Sequence, residues 1–412
     1  MTFRQPQGGH PQTEEPQFAR AGRGAGPGLL AVLTAVGPIS TDMYLPAFTV
    51  MRVDLHGGAA AAPLTLAAWF GGLAVGQLIY GPLSDHFGRR TPMLLGCLLY
   101  ALASAACALS TSMPELIAFR ALAAFGGAAN LVIPLAIIRD IAKTGQQAAD
   151  LISRQQLILA VIPMLAPTLG GLIVEFAGWR TIFWVAVVYG VACVALILTS
   201  FGETLPQSAR GHGGLLTVMA DYLRVGRDRY FFTHALTGSF ATFSLFAFLG
   251  GAPAVFMHHF SIGPTLFGAT FIANGAGYAL GTAFNSRLVK LYGRWRVLRR
   301  AGHVLVGLSG LILVCMATEF GGVWVMAILV AAVMMTLGCL LPDAAIGAVG
   351  PYQRDAGIAS ALYGTLVFAI GAIGSVCVGL IPDYEPVLMA SLMLLGAIMA
   401  AGSNVIGRRS AT

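Results

Sequence analysis

Apolar residues run along this chain in long blocks separated by short polar segments. The strict alternation that would mark half-buried strands is absent. Twelve blocks approach membrane-spanning length: 28–50, 64–83, 91–110, 114–138, 155–176, 181–201, 231–257, 262–286, 301–318, 321–342, 355–381 and 384–406. A helix needs about 20 apolar residues to cross the hydrocarbon core. The pattern predicts an all-α integral membrane protein of twelve transmembrane helices. The longest polar connection, residues 202–230, splits them six and six. The expected organisation is a disordered tail (1–27), an N-terminal six-helix bundle (28–201), a linker (202–230), a C-terminal six-helix bundle (231–406) and a short tail (407–412). The first tail is rich in Gly, Pro and Gln and has no signal-peptide core.

A repeat crosses the division. Gly72, Gly76, Leu83 and Gly88 recur 205 residues later as Gly277, Gly281, Leu288 and Gly293. Each half thus carries a GxxxG pair, which lets helices approach closely in lipid. Two similar six-helix halves, with a substrate site between them near mid-membrane, are the architecture of many secondary transporters.

Composition removes a soluble alternative. The chain is 57% hydrophobic, 10% charged and has a mean hydropathy of +0.78, against about 25% charged residues in soluble domains. The net charge is +7, but its distribution matters more. With alternating spans, the segments on the side of the termini hold all of the 24 Lys and Arg except Arg52, Arg180 and the intramembrane Arg120. The positive-inside rule then puts both termini and the linker in the cytoplasm. Anionic membrane lipid satisfies such basic loops, and no nucleic-acid partner is expected. The six cysteines all fall in spans and read as small apolar packing residues. No metal cluster, catalytic triad or phosphate loop is visible, so neither an enzyme nor a cofactor is expected.

Candidate chemistry starts with Asp42, inside the first apolar block between Pro38 and Pro46. Prolines free backbone groups, which is tolerated at membrane depth only beside protein or a watery cavity. Intramembrane ionisable residues are functional candidates by default. Arg120 falls at a similar depth in the fourth span, so a direct Asp42–Arg120 pair is one expectation and snorkelling of Arg120 to the surface another. Asp343 and Glu175 fall at span ends, where interface solvation explains them. An aromatic stripe in the seventh span includes Phe240, Phe243, Phe246 and Phe248.

Several motifs carry a family resemblance. "GPLSDHFGRRTPML" (81–94) resembles the signature loop of the major facilitator superfamily through Gly81, Leu83, Asp85, Gly88, Arg89 and Arg90. Asp85 there is expected to cap a neighbouring helix, and Lys290 at its repeat position makes such a latch one-sided. Arg120 followed by small residues resembles the superfamily's span-four motif, with Ala123 where a Gln is frequent. "PMLAPTLGGLI" (163–173) resembles the antiporter motif through Pro167, Gly170 and Gly171, with Ala166 in place of a glycine. With "GPISTDMYLPAF", "GWRTIFW" and "GETLP", residues 37–206 resemble the Bcr/CflA drug-resistance subfamily.

That resemblance implies two six-helix bundles in pseudo-two-fold relation, alternating access, a monomer and the bacterial inner membrane. It implies export of small, partly apolar molecules such as antibiotics in exchange for protons. The alternative is a proton-coupled importer of a sugar or organic acid on the same fold. The expected roles are proton coupling for Asp42 and Arg120, and substrate contact for Asp42, Tyr44, Asn130, Phe243 and Phe246. Gating is expected of Gly81, Asp85, Gly88, Arg89, Arg90, Pro167, Gly170 and Gly171.

Overall fold

The structure, a computed structural model, describes residues 26–58, 61–142, 144–210, 215–352, 355–380 and 385–408. Both expected tails lie almost wholly outside them. The described chain is helical throughout. The first span is built of three short helices, α1 (Pro27–Thr34), α2 (Val36–Thr41) and α3 (Phe48–Asp54). Spans two to six are α4 (Ala61–Phe87), α5 (Arg90–Leu109), α6 (Met113–Ile141), α7 (Gly145–Ala177) and α8 (Arg180–Ser200). The linker contains a further helix, α9 (Leu215–Gly226). Spans seven to twelve are α10 (Arg229–Pro253), α11 (Pro264–Tyr292), α12 (Arg294–Ala317), α13 (Gly322–Val349), α14 (Ala356–Gly379) and α15 (Pro386–Arg408). Most helices overrun the apolar blocks, because a backbone hydrogen-bond ladder started in lipid continues at little cost into the interface.

Large aliphatic side chains point both ways. Leu102, Val188 and Ile328 are more than 60% exposed, while Leu33, Leu116 and Leu337 are fully buried. Leu on the outer surface is what a lipid-facing helix wants, because lipid tails are as apolar as the core. Small residues set which faces meet. A methyl on Gly72 or Gly76 would strike Ala121, Ala124 or Ala128 of α6, and one on Gly277 or Gly281 would strike the Ala331 or Met335 carbonyls of α13. The repeated GxxxG pairs therefore do the same job in both halves, span two on span four and span eight on span ten. Matching these contacts shifts the repeat offset to 210 in α6 and α13, so Arg120 corresponds to Val330.

Contact between the halves obeys the same symmetry: α4 packs on α14, and α7 on α11. Prolines supply some of the cross-links. Pro82 lacks the N–H that would bond the Leu78 carbonyl, and that carbonyl accepts from Tyr222 of α9 at 3.1 Å. Pro342 likewise frees the Gly338 carbonyl, which accepts from Thr282 of α11 at 3.3 Å. Tyr222 ties α9 to the N-terminal half, and Arg224 ties it to Asp355 before α14 at 3.1 Å.

Candidate functional site

Pro46 has no N–H for the Asp42 carbonyl, and its ring disfavours a continuous turn there. The first span consequently breaks after Thr41 and passes through a short 3-10 turn, Leu45–Ala47, before α3 resumes. Asp42 sits at this break, half-buried, and its carboxylate accepts from Thr41 Oγ1 at 3.2 Å. Among the described residues no ion pair involves Asp42.

Arg120 is turned elsewhere. It is 2% exposed, enclosed in the N-terminal bundle, which rules out snorkelling. Its Nη1 donates to the Ser40 carbonyl at 2.8 Å, and its guanidinium lies 4.2 Å from the Tyr44 ring and 4.7 Å from Trp69. Ser40 and Tyr44 are four residues apart and share a helical face; Asp42, two residues from each, points away from it. The expected Asp42–Arg120 pair therefore does not form. A guanidinium at membrane depth costs about 2.5–3.5 kcal/mol. Ring contacts with Tyr44 and Trp69 at up to about 2 kcal/mol each and one charge-assisted hydrogen bond of about 1.5–3 kcal/mol work against that cost, while Nε and Nη2 have no hydrogen-bond partner among the described residues. Ala123, at the position of the family's Gln, leaves polar contact to the backbone of span one.

Two residues expected at the substrate are also inside the N-terminal bundle. Tyr44 is fully buried and hydrogen-bonded to Thr65. Asn130 is fully buried and accepts from Cys97 Sγ at 3.1 Å. Phe243 packs on Gly374 and Gly396 within the C-terminal half. Phe246 is different. It stacks on Phe70 of α4 at 3.5 Å, and Phe368 of α14 lies 6.1 Å from Phe70, so three rings meet between the halves. Phe70 and Phe368 carry no motif, and only the packing of α4 on α14 reveals them.

On the face opposite the termini, the halves interlock through backbone. A methyl on Gly171 would overlap the Pro264 carbonyl and one on Gly268 the Pro167 carbonyl, across the halves, while one on Gly170 would overlap the Met43 carbonyl of span one within the N-terminal half. Thr265 also donates to Glu175 at 2.6 Å, so Glu175 has a protein partner rather than interface water alone. Trp179 and Arg180, from "GWRTIFW", both bond Asp54 and anchor the end of span one.

On the termini face the signature loop forms a charge cluster. Arg89, 6% exposed, donates Nε to Asp140 at 2.8 Å and pairs with Asp85. Burial pulls its pKa down, but these two carboxylates more than offset that and hold it above the ordinary arginine value. Among the described residues Asp85 caps no helix. That role belongs to Glu203, which accepts from the Arg89 and Arg90 amides at 2.8 and 3.3 Å at the start of α5. Gly88 has φ +89°, and a side chain there would collide with the Glu203 carboxylate. Arg90 reaches the Leu198 carbonyl at 3.1 Å, and the Gly81 carbonyl accepts from Ser84 at 2.9 Å. Glu203 lay in the quoted "GETLP", but its partners are more than a hundred residues distant in sequence. Glu203→Ala should lower thermal stability by about 0.5–2 kcal/mol, the usual worth of a cap, and slow transport; melting curves alongside transport assays check both.

The second half repeats part of this. Gly293 has φ +79°, and Arg294 lies 3.5 Å from Asp343, which is 1% exposed and accepts from Asn285 at 3.2 Å. Arg294 and Asp343 thus parallel Arg89 and Asp140. Lys290 leaves Asp85 without a counterpart, but the remainder of the latch is two-sided, and Asp343 is buried structure rather than a solvated end.

These features have close relatives. A family model described as Major Facilitator Superfamily matches residues 30–376. The chain is 35% identical over 375 residues to an uncharacterized MFS-type transporter, YdgK, of Bacillus subtilis, covering 90% of this chain and 92% of that one. It is 31% identical over 344 residues to a bicyclomycin resistance protein homolog of Haemophilus influenzae, covering 84% and 86%. A solved D-xylose–proton symporter shares the fold at TM-score 0.67 and 14% identity, over 90% of this chain and 96% of that one. Two six-helix halves joined through α4–α14 and α7–α11, the signature-loop cluster and these matches lead to one conclusion: this chain belongs to the major facilitator superfamily.

Proposed function

We propose that the protein is a proton-coupled exporter of small, partly apolar molecules, antibiotics among them, working by alternating access. The observation that carries this reading is Asp42, a half-buried carboxylate with no ion pair among the described residues, at a proline-made break in span one. Such a group can exchange a proton as its surroundings open and close. The Phe70–Phe246–Phe368 stack between the halves gives an apolar substrate an aromatic surface. The bicyclomycin-resistance relative supports a drug-like substrate. Resemblance to the xylose symporter carries fold alone, so the importer reading has less support.

Within this proposal Asp42 and Phe246 face the pathway. Arg120 and Tyr44 hold the geometry of span one from inside the N-terminal bundle, and Arg120 assists proton coupling only through that geometry. Asn130 and Phe243 pack beside it. The loop around Asp85, Arg89 and Arg90 and the Pro167–Gly171 segment gate the two faces. The protein acts as a monomer in the bacterial inner membrane, with both termini and the linker in the cytoplasm, where all but three of the Lys and Arg would lie.

Substrate uptake into inverted vesicles on imposing an acidic interior would bear out export. Uptake driven only in right-side-out vesicles would sink it. Topology is tested separately, with a single cysteine at Ser208 in a cysteine-free background. It should resist impermeant thiol reagents in intact cells and react after permeabilisation; labelling of intact cells would invert the orientation.

A further inference from the structure

The corner between α11 and α12 is unlike its repeat partner. Residues 287–300 read "RLVKLYGRWRVLRR", six cations and no acid, where the first half has Asp85 paired with Arg89. Only Arg294 of these six has a carboxylate partner among the described residues. The others are not scattered. Arg296, Arg299 and Arg300 are spaced i, i+3, i+4 and share the exposed side of α12. Val297, Leu298, Ala301 and Leu305 cover its other side and are buried.

Beyond an exposed His303, the same side continues up the helix without Lys or Arg. Val304, Leu311 and Val314 follow along it, 51%, 47% and 56% exposed. A strip that is cationic for its first turns and aliphatic beyond has the polarity of one phospholipid: phosphate at one end, acyl chain along the rest. Tyr292, itself exposed, lies 4.9 Å beneath the Arg300 guanidinium and steadies it at the boundary. Orientation by positive charge requires only that cations lie near span ends. It does not require arginines, whose planar forks suit phosphate oxygens, or their alignment with an aliphatic strip.

We infer that this face of α12 is a binding site for an anionic phospholipid, its phosphate held by Arg296, Arg299 and Arg300 and its acyl chain laid along Val304, Leu311 and Val314. Free phosphate uses only the first half of that strip, so the lipid is the occupant. Each cation near a membrane surface contributes about a factor of five in binding.

The full-length protein, delipidated in detergent, is titrated with cardiolipin, phosphatidylglycerol and phosphatidylcholine of matched chains, with bound lipid read by native mass spectrometry. Cardiolipin and phosphatidylglycerol should bind well above phosphatidylcholine. R296Q/R299Q/R300Q should weaken them about a hundredfold, and R299Q alone about fivefold should the triple variant fail to fold. R227Q/R229Q, which removes charge from the linker end, should stay within about twofold of wild type. Equal binding of phosphatidylcholine would overturn the site. So would an equal loss in R227Q/R229Q, which marks diffuse attraction. Displacement of lipid by millimolar inorganic phosphate at constant ionic strength would reassign the site to a free anion.

Discussion

Asp42→Asn should abolish uphill export and leave substrate-for-substrate exchange intact. The amide keeps the size of the carboxylate and can still accept from Thr41 Oγ1, the one hydrogen bond the carboxylate receives among the described residues. It cannot take up or release a proton. Each exchanged proton can support about a tenfold concentration ratio per unit of pH gradient, since one pKa unit and a tenfold ratio are the same free energy. In proteoliposomes with a one-unit gradient, the wild type should approach that ratio, and the variant should equilibrate at one. If proton and substrate compete for the same group or conformation, linkage is reciprocal, and substrate affinity in the variant should stop responding to pH. Wild-type accumulation by Asp42→Asn would place coupling elsewhere. Arg120 makes a useful contrast. Because it contacts Ser40 and three rings and not Asp42, Arg120→Met should act through folding, lowering yield and thermal stability before it alters any pH response.

Gly171→Val should stop transport while sparing assembly in the membrane. No smaller change keeps the interface, since even a methyl at Gly171 overlaps the Pro264 carbonyl. Backbone cannot step aside as a flexible side chain can. The variant can relieve the overlap by parting α7 from α11, that is, by holding the far face open. A ligand shifts such an equilibrium only by its differential affinity for the two states, and about 5.5 kcal/mol is needed to carry it from 1:99 to 99:1. An overlap with main chain is of that order or greater, so substrate cannot restore the closed state. The expected result is at least a hundredfold loss of export, near-normal substrate binding, and greater labelling of cysteines placed at Glu175 or Thr265. Loss of binding together with unchanged labelling would instead mean local misfolding of α7.

The lipid-crossing elements and the six-plus-six division were legible in the chain because hydrocarbon imposes a coarse rule. Every backbone polar group must be satisfied within its own helix, so any long apolar block becomes one. The GxxxG repeat was legible for a related reason: a glycine at a crossing has no substitute. Side-chain partnership obeys no such local rule. Asp42 and Arg120 stand at similar depth, yet a two-residue step around span one separates Asp42 from the face that Ser40 and Tyr44 present to Arg120. In principle that rotation could be read from the sequence; which face looks into the bundle could not. Glu203 beneath the Gly88 turn, Arg294 beside Asp343, and the ring stack of Phe70, Phe246 and Phe368 depend on helices far apart in sequence coming together. The chain by itself determined its spans, its repeat and the residue types at its signature loop. The tertiary structure alone decided which charges meet, because an ion pair or ring contact acts over a few ångströms, and a rotation of one helix by half a turn makes or breaks it.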